Sequence, residues 1–129
     1  MKRKIKYSLL LLFAVILSSF GQQKEQVDQH LLVGEWSRTE TPCQIKITEV
    51  LDSGKLVLTY FDVKSINTGK TYWLIKGTFL SLYVELLDEN HPGSYYKLNY
   101  ITERDVLVGD YFEVVEGLTY PVEFVRTKQ

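Results

Sequence analysis

Between Gly34 and Arg126 the chain carries strand signals and almost nothing else. Eight runs of alternating or continuous apolar residues are separated by short Gly, Pro, Asn and Asp clusters, the pattern of strands joined by turns. The runs are Glu35–Thr39, Gln44–Val50, Lys55–Val63, Thr71–Lys76, Thr78–Leu87, Ser94–Ile101, Val106–Val115 and Leu118–Arg126. Ile45 and Ile47 alternate with Lys46 and Thr48; Leu80, Leu82, Val84 and Leu86 share one face, as do Tyr96, Leu98 and Tyr100. Side chains two apart point to the same side of a strand. No stretch repeats apolar residues at helical spacing for long enough to give a helix. The turns read Asp52-Ser53-Gly54, Ile66–Lys70 with Gly69 free to take a positive φ, Asp88–Gly93, Thr102–Asp105 and Glu116-Gly117.

Eight short antiparallel strands with short connections have few stable arrangements. A flat sheet leaves two long edges open to pairing with other chains. Closing the sheet into an up-and-down barrel removes them. A sandwich is the competitor, but it favours longer crossovers than these turns provide. The expectation is an all-β, eight-stranded antiparallel up-and-down barrel over residues 34–127.

The N-terminus is of a different kind. Lys2, Arg3, Lys4 and Lys6 precede an unbroken apolar run, Leu9–Leu17, and then the small residues Ser18, Ser19 and Gly21. That order is a secretory signal peptide over residues 1–21. The run is too short to span a bilayer, which takes about 20 apolar residues. Residues 22–33 follow as a polar lead-in with room for a short helical turn before Leu31. The chain is therefore expected to be exported, to the periplasm or beyond, with no transmembrane segment after signal removal.

Removing the signal changes the charge. Taking its four basic residues from the chain's fifteen leaves eleven against sixteen acidic ones, a net of −5. A mildly acidic domain without a basic stripe is a poor partner for nucleic acid. The single cysteine, Cys43, cannot form an internal disulfide. The domain must then stand on its hydrophobic core.

Three features together resemble the calycin group, which includes lipocalins, fatty-acid-binding proteins and avidins. Gly34-Glu35-Trp36 is similar to the G-x-W that opens the first strand of that group. Leu107-Val108-Gly109-Asp110-Tyr111 resembles its L-x-G-x-Y strand. Arg126 matches the basic residue that stacks on the first-strand tryptophan. The resemblance implies a calycin-like barrel closed at one end by Trp36 and Arg126, through a cation–π contact. The chain also resembles small secreted bacterial proteins with a G-x-W start, here with Tyr60-Phe61, Leu82–Leu86, Pro92-Gly93-Ser94 and Phe124-Val125-Arg126; this second likeness implies no activity. Departures bound what carries over. The C-terminal helix of lipocalins and the helical lid of fatty-acid-binding proteins are missing. Arg38 stands where avidins place the asparagine that holds biotin, so biotin binding is not implied.

Counting alternation from Trp36 as inward puts Arg38, Tyr60, Trp73, Tyr96, Tyr100, Tyr111 and Tyr120 on the interior side. Arg38, Tyr60, Trp73, Tyr96, Tyr100 and Tyr111 are the candidate lining of a pocket for a small hydrophobic or amphipathic ligand, polar or anionic at one end. The other reading is an interior filled by those same rings, since a barrel of eight strands is narrow. Arg38 would then pair with Glu40 or Asp62. Other groups carry little signal. Asp88, Glu89 and His91 fall together in a turn where polar residues are expected, not at a familiar metal spacing. His30 sits in the lead-in. Cys43 has no histidine beside it in sequence to act as a base. Glu85, Asp88 and Glu89 read as surface acids. No catalytic motif, metal site or cofactor site is expected. The functional expectation is a non-enzymatic ligand-binding barrel. The alternative is a protein-interaction module, an inhibitor or envelope accessory factor with a filled barrel interior.

Overall fold

The computed structural model describes residues 27–90 and 92–127. The expected signal peptide, the start of the lead-in and His91 lie outside the described residues.

A 3-10 helix, Gln29–Leu32, leads into nine strands: β1 Gly34–Arg38, β2 Cys43–Val50, β3 Leu56–Asp62, β4 Lys64–Ile66, β5 Thr68–Lys76, β6 Phe79–Leu86, β7 Tyr95–Ile101, β8 Val106–Glu113 and β9 Leu118–Arg126. All pairings are antiparallel, in one sheet ordered β4-β3-β2-β1-β9-β8-β7-β6-β5. First and last strands meet with Trp36 opposite Arg126. The two ends of the sheet approach each other where Lys55 bridges to Tyr72, the Trp73 N–H donates to the Gly54 carbonyl (2.8 Å) and the Thr71 hydroxyl donates to the Leu56 carbonyl (2.7 Å). The result is an all-β, nearly closed antiparallel barrel.

The sheet has nine strands where the sequence pattern gives eight. The third run breaks at Val63, whose φ of 68° turns the chain back so that Lys64–Ile66 pairs with the end of β3. A β-branched residue in the left-handed region is strained, and Val63 is 89% exposed. The stretch from Thr68 to Lys70 is strand rather than loop. Gly69 stays outside the left-handed region and sits where β5 shifts register between Thr68 and Thr71.

Alternation fills the interior. Ile45 and Ile47 from β2, Leu80, Leu82, Val84 and Leu86 from β6, Leu98 from β7, Leu107 from β8 and Val122 and Phe124 from β9 form one buried cluster around Trp36. Each such side chain withdrawn from water contributes about 1.5–3 kcal/mol before chain entropy is charged against it. Gly109 permits the tightest approach. A Cβ there would overlap the Lys97 carbonyl oxygen and lie 2.9 Å from the Leu98 Cα, so β7 and β8 could not pair as they do.

One barrel end is covered. The Arg126 guanidinium lies 4.2 Å from the centroid of the Trp36 ring. Its Nε and Nη2 donate to the Asp105 carboxylate at 2.8 and 2.9 Å, and its Nη1 and Nη2 donate to the Val33 and Leu31 carbonyls at 2.8 and 2.7 Å. The Trp36 indole donates to the Leu32 carbonyl at 3.0 Å. The lead-in is thereby tied to the first and last strands. Gly34 makes room for this, because its φ of 143° suits glycine and a Cβ would meet Arg126 Nη1 at 2.5 Å.

Candidate functional site

The opposite end of the barrel is open. There β1, β3, β7 and β8 deliver Arg38, Tyr60, Tyr96 and Tyr111 to a cleft of about 390 Å³. The turns between strands add Thr41, Pro42, Asp88 and Glu116. Cys43, Ile66, Leu86, Glu113 and Tyr120 complete much of the wall. The volume falls within the range of about 300–1,000 Å³ usual for small-molecule sites.

The floor is a chain of polar contacts on a buried aromatic base. Arg38 Nη1 donates to the Tyr96 hydroxyl at 3.2 Å, and that hydroxyl lies 2.8 Å from the hydroxyl of Tyr60. The guanidinium carbon is 6.0 and 5.7 Å from the centroids of the Tyr96 and Tyr111 rings. Arg38 Nε is buried without an acceptor among the described residues. The cation is thus held mainly by ring faces and one phenol, and it forms no ion pair with Glu40 or Asp62. Burial opposes its charge, but Tyr96, Cys43 and Tyr60 outweigh that and its pKa is raised. Arg38 therefore stays a cation.

The phenols behave as neutral dipoles. Burial pushes Tyr60 far above its ordinary range, with Tyr96 and Cys43 adding to the shift. Burial also raises Tyr96, against the opposing pull of Tyr60 and Arg38. Tyr111 is raised by burial as well. Each ring presents an apolar face and an O–H that donates or accepts.

Carboxyl groups surround this base. Glu113 is buried, and its two oxygens accept the Val115 and Glu116 N–H groups at 3.2 and 2.7 Å, which fixes the β8–β9 turn. Asp62 and Glu116 are exposed at the rim.

Of the candidate ligand residues, Arg38, Tyr60, Tyr96 and Tyr111 come together in the cleft, with Tyr120 beside Tyr111. Two lie elsewhere. Trp73 stands at the barrel seam, its indole donating to the Leu51 carbonyl at 2.7 Å. Tyr100 is at the covered end, edge-on to Trp36, and donates to Asp105 at 2.8 Å. Strand parity assigns a side but not a height along the barrel, and height separates these two from the rest. Of the rim residues, Asp62 is expected from sequence only as an ion-pair partner of Arg38 and Leu86 only as part of an apolar face, while Ile66, Glu113 and Glu116 carry no signal beyond their position near turns. Among the described residues no group of three or more His, Cys, Asp or Glu side chains converges as a metal site. No described helix is long and apolar enough to cross a membrane.

No protein-family model matches the chain, and neither the curated proteins nor the solved structures contain a match to it.

Proposed function

We propose that the chain is exported and that its barrel is a non-enzymatic binding protein for a small hydrophobic or amphipathic ligand with one anionic group. The observation that carries this reading is the convergence of Arg38, Tyr60, Tyr96 and Tyr111 on one open cleft of about 390 Å³. Arg38 would receive the anion, since one of its terminal nitrogens already donates to a phenol and the guanidinium carries five N–H donors in all. The Tyr rings, Pro42, Ile66 and Leu86 would hold the apolar body. The likeness to calycins supports the same reading, with the ligand at the open end rather than deep in the barrel. The basic and apolar order of residues 1–21 supports export.

The test is native mass spectrometry of the protein purified from its own host. A retained adduct that is lost in Arg38→Met is expected. The bare mature mass in repeated preparations, with no adduct regained on incubation with host lipid and metabolite extracts, would contradict the proposal.

One feature favours the second reading, a protein-interaction module. Val63, Leu87, Val114, Val115 and Leu118 are exposed apolar residues at or beside the turns that frame the cleft. A collar of this kind suits contact with another macromolecule.

A further inference from the structure

The cleft presents the carboxyl side chains of Asp62, Glu113 and Glu116 against the single guanidinium of Arg38. A ligand that is only an anion would enter against that surplus. The two kinds of charge also differ in depth. Arg38 is half-buried and packed on Tyr96 and Tyr111, whereas Asp62 and Glu116 are exposed at the mouth. The Glu113 carboxylate is already engaged by two backbone N–H groups of its turn. Asp62 and Glu116 make no side-chain hydrogen bond or ion pair among the described residues. Between floor and rim the wall is apolar and aromatic, from Ile66, Leu86, Tyr111 and Tyr120.

We infer that the ligand is dipolar: a carboxylate or similar small anion leads toward Arg38, an apolar body lies along the tyrosines, and an ammonium or other cation trails at the rim beside Asp62 and Glu116. This rests on the binding function proposed above and narrows its ligand class. The buried, unpartnered Nε of Arg38 fits the same picture, since a floor built around an incompletely paired guanidinium gains from an incoming anion. The rim acids then choose among anions. They repel one with an acidic or bare tail and attract one with a cationic tail.

Three probes of matched length separate the possibilities: 8-aminooctanoate, octanoate and octylamine, titrated calorimetrically into the mature protein at low ionic strength. The expected order has 8-aminooctanoate tightest, about fivefold or more over octanoate, the scale of one or two exposed charge pairs. The preference should fade in about 0.5 M salt, where screening reaches only a few ångströms. The double substitution Asp62→Asn with Glu116→Gln, both exposed and so compatible with folding, should bring the two carboxylates to within about twofold of each other. Octanoate binding as tightly as 8-aminooctanoate, or a preference that survives the double substitution, would overturn the dipolar ligand and leave the binding function standing. Octylamine binding tightest, with no response to Arg38→Met, would overturn both. So would failure of all three probes to bind at millimolar concentration.

Discussion

The hydroxyls of Tyr60 and Tyr96 lie 2.8 Å apart, and the Tyr96 oxygen also receives a hydrogen bond from Arg38. Two buried phenols and one cation therefore form a single unit beneath the cleft. Removing the central member should cost more than removing the end one. Tyr96→Phe leaves both an arginine N–H and the Tyr60 hydroxyl short of a partner, at about 1–3 kcal/mol, whereas Tyr60→Phe should cost about 1 kcal/mol. Urea denaturation of the two variants checks the order.

Titration of the same pair predicts behaviour at high pH. Both tyrosines have folded pKa values raised by burial above the ordinary value of 10.0. Stability from keeping them neutral is full below about pH 10, where the unfolded chain begins to ionise, and is lost as pH rises beyond it. Absorbance of the phenolate band should show Tyr60 and Tyr96 among the tyrosines that do not ionise before alkaline unfolding. In Tyr60→Phe with Tyr96→Phe the delayed fraction should shrink by those two rings, leaving the delay that burial gives Tyr111.

At the covered end the acid response has the opposite sign. The Arg126 hydrogen bonds hold Asp105 below its usual carboxylate pKa, with Tyr100 contributing. That stability is present above about pH 4 and is lost as pH falls through the lower folded value. Asp105→Asn should flatten the fall of stability between about pH 4 and pH 2. Arg126→Met removes the four hydrogen bonds and the contact with Trp36 together. A loss of about 2–4 kcal/mol is expected, with Arg126→Lys intermediate because a point charge cannot reproduce the fork.

Two backbone positions give contrasting outcomes. Gly109→Ala drives a methyl into the β7 backbone and should cost about 3 kcal/mol or more. Val63→Gly relieves a strained, solvent-facing β-branched residue and should stabilise the protein by about 1 kcal/mol after the extra chain entropy of glycine. Thermal unfolding of both variants tests these signs.

Much of the barrel was readable from residue alternation. The Leu80, Leu82, Val84 and Leu86 face and the Tyr96, Leu98 and Tyr100 face are buried because inward positions recur every second residue. The end of the third strand at Val63 was readable, but the return strand Lys64–Ile66 was not, because valine is among the residues least suited to the positive φ that turns the chain back there. The cleft was half readable. Parity put Arg38 and the tyrosines on the inside, but only the register of each strand fixes whether an inward ring sits at the mouth, at the seam like Trp73, or at the covered end like Tyr100.

In the proposed binding mode Arg38 anchors the anion of a ligand held in the open end of the barrel. Its most direct test is an amide-resolved NMR titration with whichever of octanoate and 8-aminooctanoate binds more tightly. Saturable shifts centred on Arg38, Cys43, Tyr60, Tyr96 and Tyr111 are expected, abolished in a folded Arg38→Met protein. Shifts centred on Tyr72, Tyr83, Tyr95 and Phe112, whose rings stack one on the next across β5 to β8, or shifts unchanged by Arg38→Met, would contradict this mode.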